Sequence, residues 1–295
     1  MAAIEWDGDL SYKDAMFISL LGVTDREERI VLVLSDLYWR FLANTDSEPD
    51  GKPLTRVEAN EFLLSCIANR GINVERSQAI AAEISTRLSE RFGSTDLIEG
   101  LVSAGVEGTH EVMAIQPMLH RWNHEMAKSF VAMAERLTTD YSGDARNIWT
   151  ASPLQPMSGR QLLERLKSFR GISDKLANLC LRTLCISGVE GVVLSDGIES
   201  LEMPVDVHSS RVFRRLGLVS ENATQREVMK AARRIATKYG HPAATMDGSF
   251  WLGYSGVCST EPDCENCPLS ERDVCDFPWQ LRPDVLDALK QLRPN

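Results

Sequence analysis

Four of the chain's seven cysteines lie in one short segment close to the C-terminus. The segment reads CSTEPDCENCPLSERDVC and places Cys258, Cys264, Cys267 and Cys275 in a C-x5-C-x2-C-x7-C spacing. Such a set suggests a metal site, because exposed free thiols are readily oxidised. Structural zinc favours two short C-x2–4-C pairs, whereas an iron–sulfur cubane is wider and tolerates longer gaps. The spacing therefore favours a [4Fe-4S] cluster and leaves zinc as the alternative.

A second group of residues lies in LLERLKSFRGISDKLANLCL, which predicts a helix, a tight turn and a second helix. Gly171 suits the left-handed conformation of such a turn, and we expect Ile172 to pack under it. Backbone N–H groups at the start of the second helix can hold a phosphate without reading sequence. The basic residues that could assist are Arg165, Lys167, Arg170 and Arg182. The alternative is an ordinary connection between two helices.

Lys175 and Asp206 each lie at the start of a predicted helix, where both a structural and a chemical role are open to them. Lys175 falls in the first turn of the second predicted helix, where the helix dipole disfavours a further positive charge and so favours a neutral, nucleophilic amine. Asp206 precedes the predicted helix VHSSRVFRR and could cap it, take part in proton transfer, or do both. Taken singly, Lys175 is better interpreted as a solvated lysine at a helix start.

Length, composition and charge set the class of protein. The 295 residues carry a net charge of −10, yet Arg160–Lys238 holds 14 Lys/Arg against 9 Asp/Glu, so a local basic face remains available to phosphates. No apolar run is long enough to cross a bilayer, and the N-terminus lacks the pattern of a secretory signal. We therefore expect a reducing, cytosolic-type compartment, with Cys66, Cys180 and Cys185 as small core residues.

The elements that position these residues read as helices almost throughout. Apolar residues recur at helical spacing, as in Ile80, Ile84 and Leu88, and Thr55 with Glu58 forms a predicted capping box. No convincing alternation predicts a strand. The predicted fold class is all-α.

Together, these motifs resemble the endonuclease III-like DNA glycosylases of the helix-hairpin-helix (HhH-GPD) superfamily. The family hairpin L-P-G-V-G-x-K-T-A matches the segment 169–177, FRGISDKLA, and the family V-D-T-H matches PVDVH around Asp206. The cysteine loop follows at the distance that the family uses for its [4Fe-4S] cluster. The resemblance covers residues 55–278 and the helix near 27–44.

The resemblance implies a bifunctional glycosylase and AP lyase, with Lys175 as the Schiff-base nucleophile and Asp206 as the catalytic carboxylate. The implied partner is DNA, in duplex form with a lesion or modified base, bound in a cleft with Lys175 and Asp206 facing each other. A monomeric, nucleoid-associated or nuclear protein is expected. The implied ranges are an N-terminal extension (1–26), a cluster domain (27–54 with 200–295) and a helical barrel (55–199) with its hairpin at 160–185.

Further residues receive roles from the same resemblance. Those implied to contact DNA are Arg170, Gly171, Ser173, His208 and Arg211. The loop after the second helix implies Asn69 or Arg70 as the plug that fills the gap left by a flipped base.

Several features depart from the family pattern. Ser173 stands in place of the second hairpin glycine, the segment 186–203 reads as an insertion, and Glu261 and Asp263 make the first part of the cysteine loop acidic. These departures predict a divergent member with an unusual substrate. Two alternatives stay open: a monofunctional glycosylase, and a non-catalytic DNA-binding or redox-sensing iron–sulfur protein.

Overall fold

The computed structural model describes residues 25–44, 53–70, 72, 74–115, 120–150, 156–186, 192, 194–254, 256–264, 266–269 and 275. Most of the predicted N-terminal extension and part of the predicted insertion lie outside these ranges. The chain divides into two compact units. Unit 1 comprises Met1–Asp46 with Val205–Asn295, and unit 2 comprises Ser47–Pro204. The ranges predicted from the sequence place the division after residues 54 and 199.

Unit 2 contains a bundle of helices built on apolar stripes. Its helices are α2 (Arg56–Ala68), α3 (Val74–Phe92), α4 (Leu97–Ala114), α5 (Asn123–Tyr141), α6 (Arg146–Trp149), α7 (Gly159–Lys167) and α8 (Asp174–Ile186). The predicted stripe of α3 is buried, as Ile80, Ile84 and Leu88 are each at most 1% exposed. The predicted capping box is confirmed, because the Thr55 hydroxyl accepts from the Glu58 N–H while Glu58 accepts from the Thr55 N–H. These local signals fix where α2 begins and which face of α3 is buried.

One helix of unit 2 is interrupted at a glycine. Gly105 has φ of 61° inside α4, so the helix consists of two segments joined at a kink. A residue with a side chain is strained at this φ, whereas glycine adopts it freely. The apolar pattern of the sequence did not predict the interruption.

Unit 1 is also helical in the residues that the structure describes. It contains α1 (Arg26–Asn44), α9 (Val207–Arg215), α10 (Gln225–Lys238), a 3-10 segment (Ala243–Asp247) and α11 (Gly248–Tyr254). The chain of α11 passes very close to its neighbours, since a Cβ on Gly253 would lie 2.7 Å from the Cβ of His208. The all-α prediction is confirmed: extended pairing in the described ranges is limited to one parallel bridge between Met157 and Leu194. No helix among these ranges has both the length and the apolar character needed to span a bilayer.

Candidate active site and nucleic-acid interface

The predicted hairpin is present in unit 2. Helix α7 is capped by Ser158, whose hydroxyl accepts from the Gln161 N–H, and α8 begins at Asp174 after a short turn. Gly171 has φ of 93°, which confirms the predicted left-handed glycine, and Ile172 is buried at 7% exposure as expected. Lys175 is half-buried in the first turn of α8.

Ser173 ends the turn and starts the second helix. Its carbonyl accepts from the Ala177 N–H at 2.8 Å, and its hydroxyl accepts from the Leu176 N–H at 3.4 Å. A serine in this position acts as a helix cap, which is a role that the family glycine cannot fill with a side chain. With serine in place of the family glycine, position 173 has less conformational freedom but provides a hydroxyl that caps α8.

The basic residues around the hairpin are not all at the surface. Arg182 is buried at 9% exposure, so the expectation that it faces a phosphate is wrong. Lys167 lies 2.9 Å from Asp174, whose carboxylate raises the pKa of the Lys167 ammonium. Arg170 is exposed and lies 3.4 Å from Glu125. Exposed pairs of this kind are weak, so Arg170 can exchange its partner for a phosphate at little cost.

Residues of the predicted insertion form hydrogen bonds with both helices of the hairpin. The Asp196 carboxylate accepts from the Gly159 N–H at 2.8 Å, at the start of α7. The Asn178 amide oxygen, in α8, accepts from the Glu202 N–H at 3.3 Å. The segment 194–203 therefore contacts both helices of the hairpin.

Gly171 provides a direct test of the turn. A Cβ at this position would meet Ser129 Oγ at 3.1 Å, in addition to the cost of a positive φ. We expect Gly171→Ala to lower the free energy of unfolding by about 1–3 kcal/mol. Urea denaturation measures this loss, and Gly93→Ala is the matched control because Gly93 has φ of +69° with nothing within 4 Å. An equal loss in both variants would contradict the predicted steric contribution.

Asp206 in unit 1 is buried and caps α9. Its Oδ1 accepts from the N–H groups of His208 and Ser209, at 2.8 and 2.9 Å. The side chain is held in one orientation because Asp206 is 8% exposed and the Ser209 hydroxyl donates to the same oxygen at 3.1 Å. The predicted capping role is confirmed. The His208 ring stacks edge-on against Phe250, with centroids 5.8 Å apart.

Arg70 of the predicted plug loop belongs to a cluster that the sequence did not suggest. Trp122, which is 43% exposed, lies under two guanidinium groups, with Arg121 at 4.2 Å and Arg70 at 5.7 Å from its ring centroid. Asn69 ends α2, and its amide reaches Ser77 Oγ at 3.4 Å. We call Arg70, Arg121 and Trp122 the Trp122 platform. Arg70 and Trp122 are far apart in sequence, so only the packing of the loops reveals the pairing.

The cysteine loop is tied to α9 by two arginines. Arg211 donates to the Cys258 carbonyl at 3.3 Å, and Arg215 donates to Cys258 Sγ at 3.2 Å. Burial and the Cys258 sulfur raise the pKa of the Cys264 thiol, whereas Arg215 opposes the shift. No three His, Cys, Asp or Glu side chains in the described ranges converge as ligands of one ion.

The loop's backbone and donor chemistry nonetheless suit a thiolate-bound group. Cys267 is buried, its N–H lies 3.4 Å from the Cys264 carbonyl, and the Cys275 N–H donates to the Leu269 carbonyl at 3.1 Å. Four cysteines close together in the sequence, with a guanidinium donating to one sulfur, match the soft donors of iron–sulfur and zinc sites. The three other cysteines lie elsewhere. Burial raises the pKa of Cys185 to about 11, and burial with a hydrogen bond to Cys66 raises that of Cys180.

Comparison with solved structures identifies the architecture. A trapped covalent intermediate of endonuclease III with DNA, in an estranged-adenine complex, matches with a TM-score of 0.54 at 17% identity, over 86% of this chain and 99% of that chain. The chain has the endonuclease III fold. A non-covalent endonuclease III–DNA complex matches at 0.52 and 17% identity, over 90% and 98%. A thermostable thymine-DNA glycosylase matches at 0.53 and 15% identity, over 86% and 98%.

The endonuclease III fold confirms the architecture that the hairpin, aspartate and cysteine motifs predicted. The identities to these structures are low, at 15–17%. No family model matches the chain, and no curated protein sequence matches it.

Proposed function

We propose that this protein is a bifunctional DNA glycosylase and AP lyase that acts through a Schiff base on Lys175. The observation that carries the proposal is the position of Lys175, half-buried in the first turn of the hairpin's second helix, within the endonuclease III fold. A structure of the same fold was trapped as a covalent intermediate with DNA, which supports the covalent route. A monofunctional relative would not need an amine at this position.

In the proposed reaction, the Lys175 amine acts first as the nucleophile and then, as part of the Schiff base, as the group that promotes strand cleavage. The neutral Lys175 Nζ attacks the sugar C1′, the bond from C1′ to the base breaks, and the base leaves with the bonding electrons and takes up a proton. Loss of a proton from nitrogen and opening of the sugar ring give a Schiff base. The Schiff base acidifies C2′, and removal of a C2′ proton expels the 3′ phosphate by β-elimination. Water then releases Lys175 from the sugar.

Asp206 is the proposed catalytic carboxylate. Its Oδ1 is occupied by the two N–H groups at the start of α9. A fixed, buried carboxylate can stabilise positive charge that develops on the sugar and can transfer a proton. We propose His208 and Arg211 as phosphate contacts beside it, although Arg211 also supports the cysteine loop.

The proposed DNA contacts of unit 2 fall on two features. The hairpin turn offers Arg170, the Gly171 backbone and the N–H groups around Ser173 to one phosphate. The Trp122 platform offers a partly exposed aromatic ring beside two cations, and such a group can stack on an unpaired base and contact its phosphate. We propose that Arg70 or Asn69 enters the gap left by a flipped base, with Trp122 supporting the exposed partner base.

The Trp122 platform can be tested by DNA binding. We expect Trp122→Ala to weaken binding to a duplex with an abasic site by about 1–3 kcal/mol, because a base loses its stacking surface. Fluorescence anisotropy measures the dissociation constant. Phe92→Ala is the matched control, since Phe92 is also exposed (41%) and lies beside an arginine, Arg91, at 5.8 Å. A similar loss in both variants would argue against the platform.

The cysteine loop is proposed to hold a [4Fe-4S] cluster, with zinc as the alternative. Cys258, Cys264, Cys267 and Cys275 would be its ligands, and the group would supply a structural cross-link within unit 1. The acidic residues Glu261 and Asp263 are exposed and would repel phosphate, so the loop is proposed to have a structural role.

The deciding experiment is borohydride trapping with the anaerobically purified protein and a duplex that carries an abasic site. A covalent complex is the expected result. Base release from a panel of damaged and modified bases without trapping would instead indicate the monofunctional alternative. Neither trapping nor base release from protein with an intact metal site would indicate a DNA-binding or redox-sensing protein.

A further inference from the structure

A second candidate site lies in unit 2, between the C-terminal end of α5 and the polar face of α7. It is an open pocket of about 490 Å³, lined by three arginines, Arg136, Arg160 and Arg165. This volume lies within the range of about 300–1,000 Å³ that is usual for small-molecule sites. The proposed chemistry at Lys175 and Asp206 uses none of the three arginines.

The charge of the pocket favours an anion. Arg136 donates to the Ser168 carbonyl at 2.6 Å and also lies 3.3 Å from the Asp140 carboxylate, whereas Arg165 donates to the neutral Ile148 carbonyl at 3.0 Å. Among the described residues, the positive charge that no carboxylate offsets is therefore that of Arg160 and Arg165. A guanidinium has five N–H donors, which leaves donors on both residues for a ligand. Arg160 is exposed and forms no ion pair with any residue in the described ranges. The carboxylate in the lining, that of Glu164, lies 3.3 Å from Lys167.

Beside the charged residues, the lining contains Tyr141, Met157, Gln161 and Ser168. The Tyr141 ring stacks on Phe169, with centroids 5.8 Å apart and an angle of 29° between the planes. Met157 is 8% exposed, and its carbonyl accepts from the Ser195 N–H at 3.0 Å, so the predicted insertion holds it in place. An aromatic ring and a thioether beside guanidinium groups suit a planar base attached to a phosphate.

We propose that this pocket binds a nucleoside monophosphate unit, with its phosphate on the arginines and its base against Tyr141 and Met157. The unit has two sources, a free nucleotide or a nucleotide within a DNA strand. Binding of a free nucleotide does not depend on the proposed glycosylase activity. Binding of a strand rests on that proposed function and would extend the DNA interface beyond the hairpin turn.

Calorimetry with dAMP as the probe tests the pocket itself. We expect wild-type protein to bind dAMP and the double variant Arg160→Ala, Arg165→Ala to lose at least tenfold in affinity. Tyr141→Ala should weaken dAMP binding while leaving the affinity for inorganic phosphate unchanged. Arg226→Ala is the control, because Arg226 is an exposed arginine of unit 1, and its removal should change nothing.

The source of the nucleotide is tested with an undamaged duplex, by anisotropy over a series of salt concentrations. If a DNA strand occupies the pocket, Arg160→Ala should reduce the salt slope by about 0.9 for its lost phosphate contact. If wild-type protein binds dAMP, the double variant loses that binding, and Arg160→Ala leaves the salt slope unchanged, then the natural ligand of the pocket is a free nucleotide. Absence of dAMP binding by wild type with an unchanged slope in Arg160→Ala overturns the proposal. Borohydride trapping by the same variants reports on Lys175 separately, so the two proposals fail independently.

Discussion

Lys175→Ala is expected to abolish the covalent complex that borohydride traps on abasic DNA, with a loss of at least about a hundredfold. The expected loss is large because no other group can form the Schiff base in place of the missing amine. The measurement is the yield of a protein–DNA band that survives denaturation. Lys230→Ala is the matched control, since Lys230 is an exposed lysine of unit 1 and its removal changes the net charge equally.

The affinity for abasic DNA must be measured beside the yield, because Lys175 also contributes charge at the hairpin. We expect Lys175→Ala to bind abasic DNA within a few fold of wild type. Asp206→Asn keeps a capping side chain, so its thermal unfolding should resemble that of wild type while trapping becomes slower. Undiminished trapping by Lys175→Ala would assign the Schiff base to another amine and overturn the proposed role.

Replacing a cysteine of the loop is expected to have the second largest effect. Anaerobically purified wild-type protein should contain about four iron and four sulfide per chain, and Cys258→Ser or Cys267→Ser should lose most of both. The thermal unfolding temperature should fall with the metal content, because metal binding contributes directly to folding free energy. Metal analysis and calorimetry measure the two losses.

Cys185→Ser is the control for the loop, because Cys185 lies in α8 of unit 2 and outside the proposed ligand set. It should keep the full metal content. One zinc per chain in place of iron would favour the alternative group. Wild-type protein that binds neither metal would contradict a metal centre altogether.

Sequence reasoning succeeded where the signal was local. The caps at Thr55 and Asp206 and the left-handed turn at Gly171 depend on residues within a few positions of one another. Such features follow from backbone geometry and from hydrogen-bond reach within one turn. The order of hairpin, aspartate and cysteine loop then predicted the fold.

The features that the sequence did not reveal depend on packing. The Trp122 ring has a cation–π contact with Arg70, which is distant in the sequence. Cys258 Sγ accepts a hydrogen bond from the guanidinium of Arg215, 43 positions away. Neither pair has a spacing rule, because loop and helix packing brings each pair together. The sequence shows that a tryptophan and several basic residues are present, but it does not show which of them are in contact. For Arg182 the sequence was misleading. Its charge suggested a contact at the surface, but it lies on a buried face of α8.

The contacts of the predicted insertion bear on whether the two helices of the hairpin can separate. Two helices joined only at a turn behave as a hinge and can splay apart. Here Asp196 contacts the start of α7 and Asn178 of α8 contacts the same returning segment, while the Lys167–Asp174 pair joins the helices at the turn. The two helices of the hairpin are therefore connected by the segment 194–203 as well as by the turn. Separation of α7 from α8 would break the two hydrogen bonds to this segment, so the hairpin has contacts against opening beyond those of its turn.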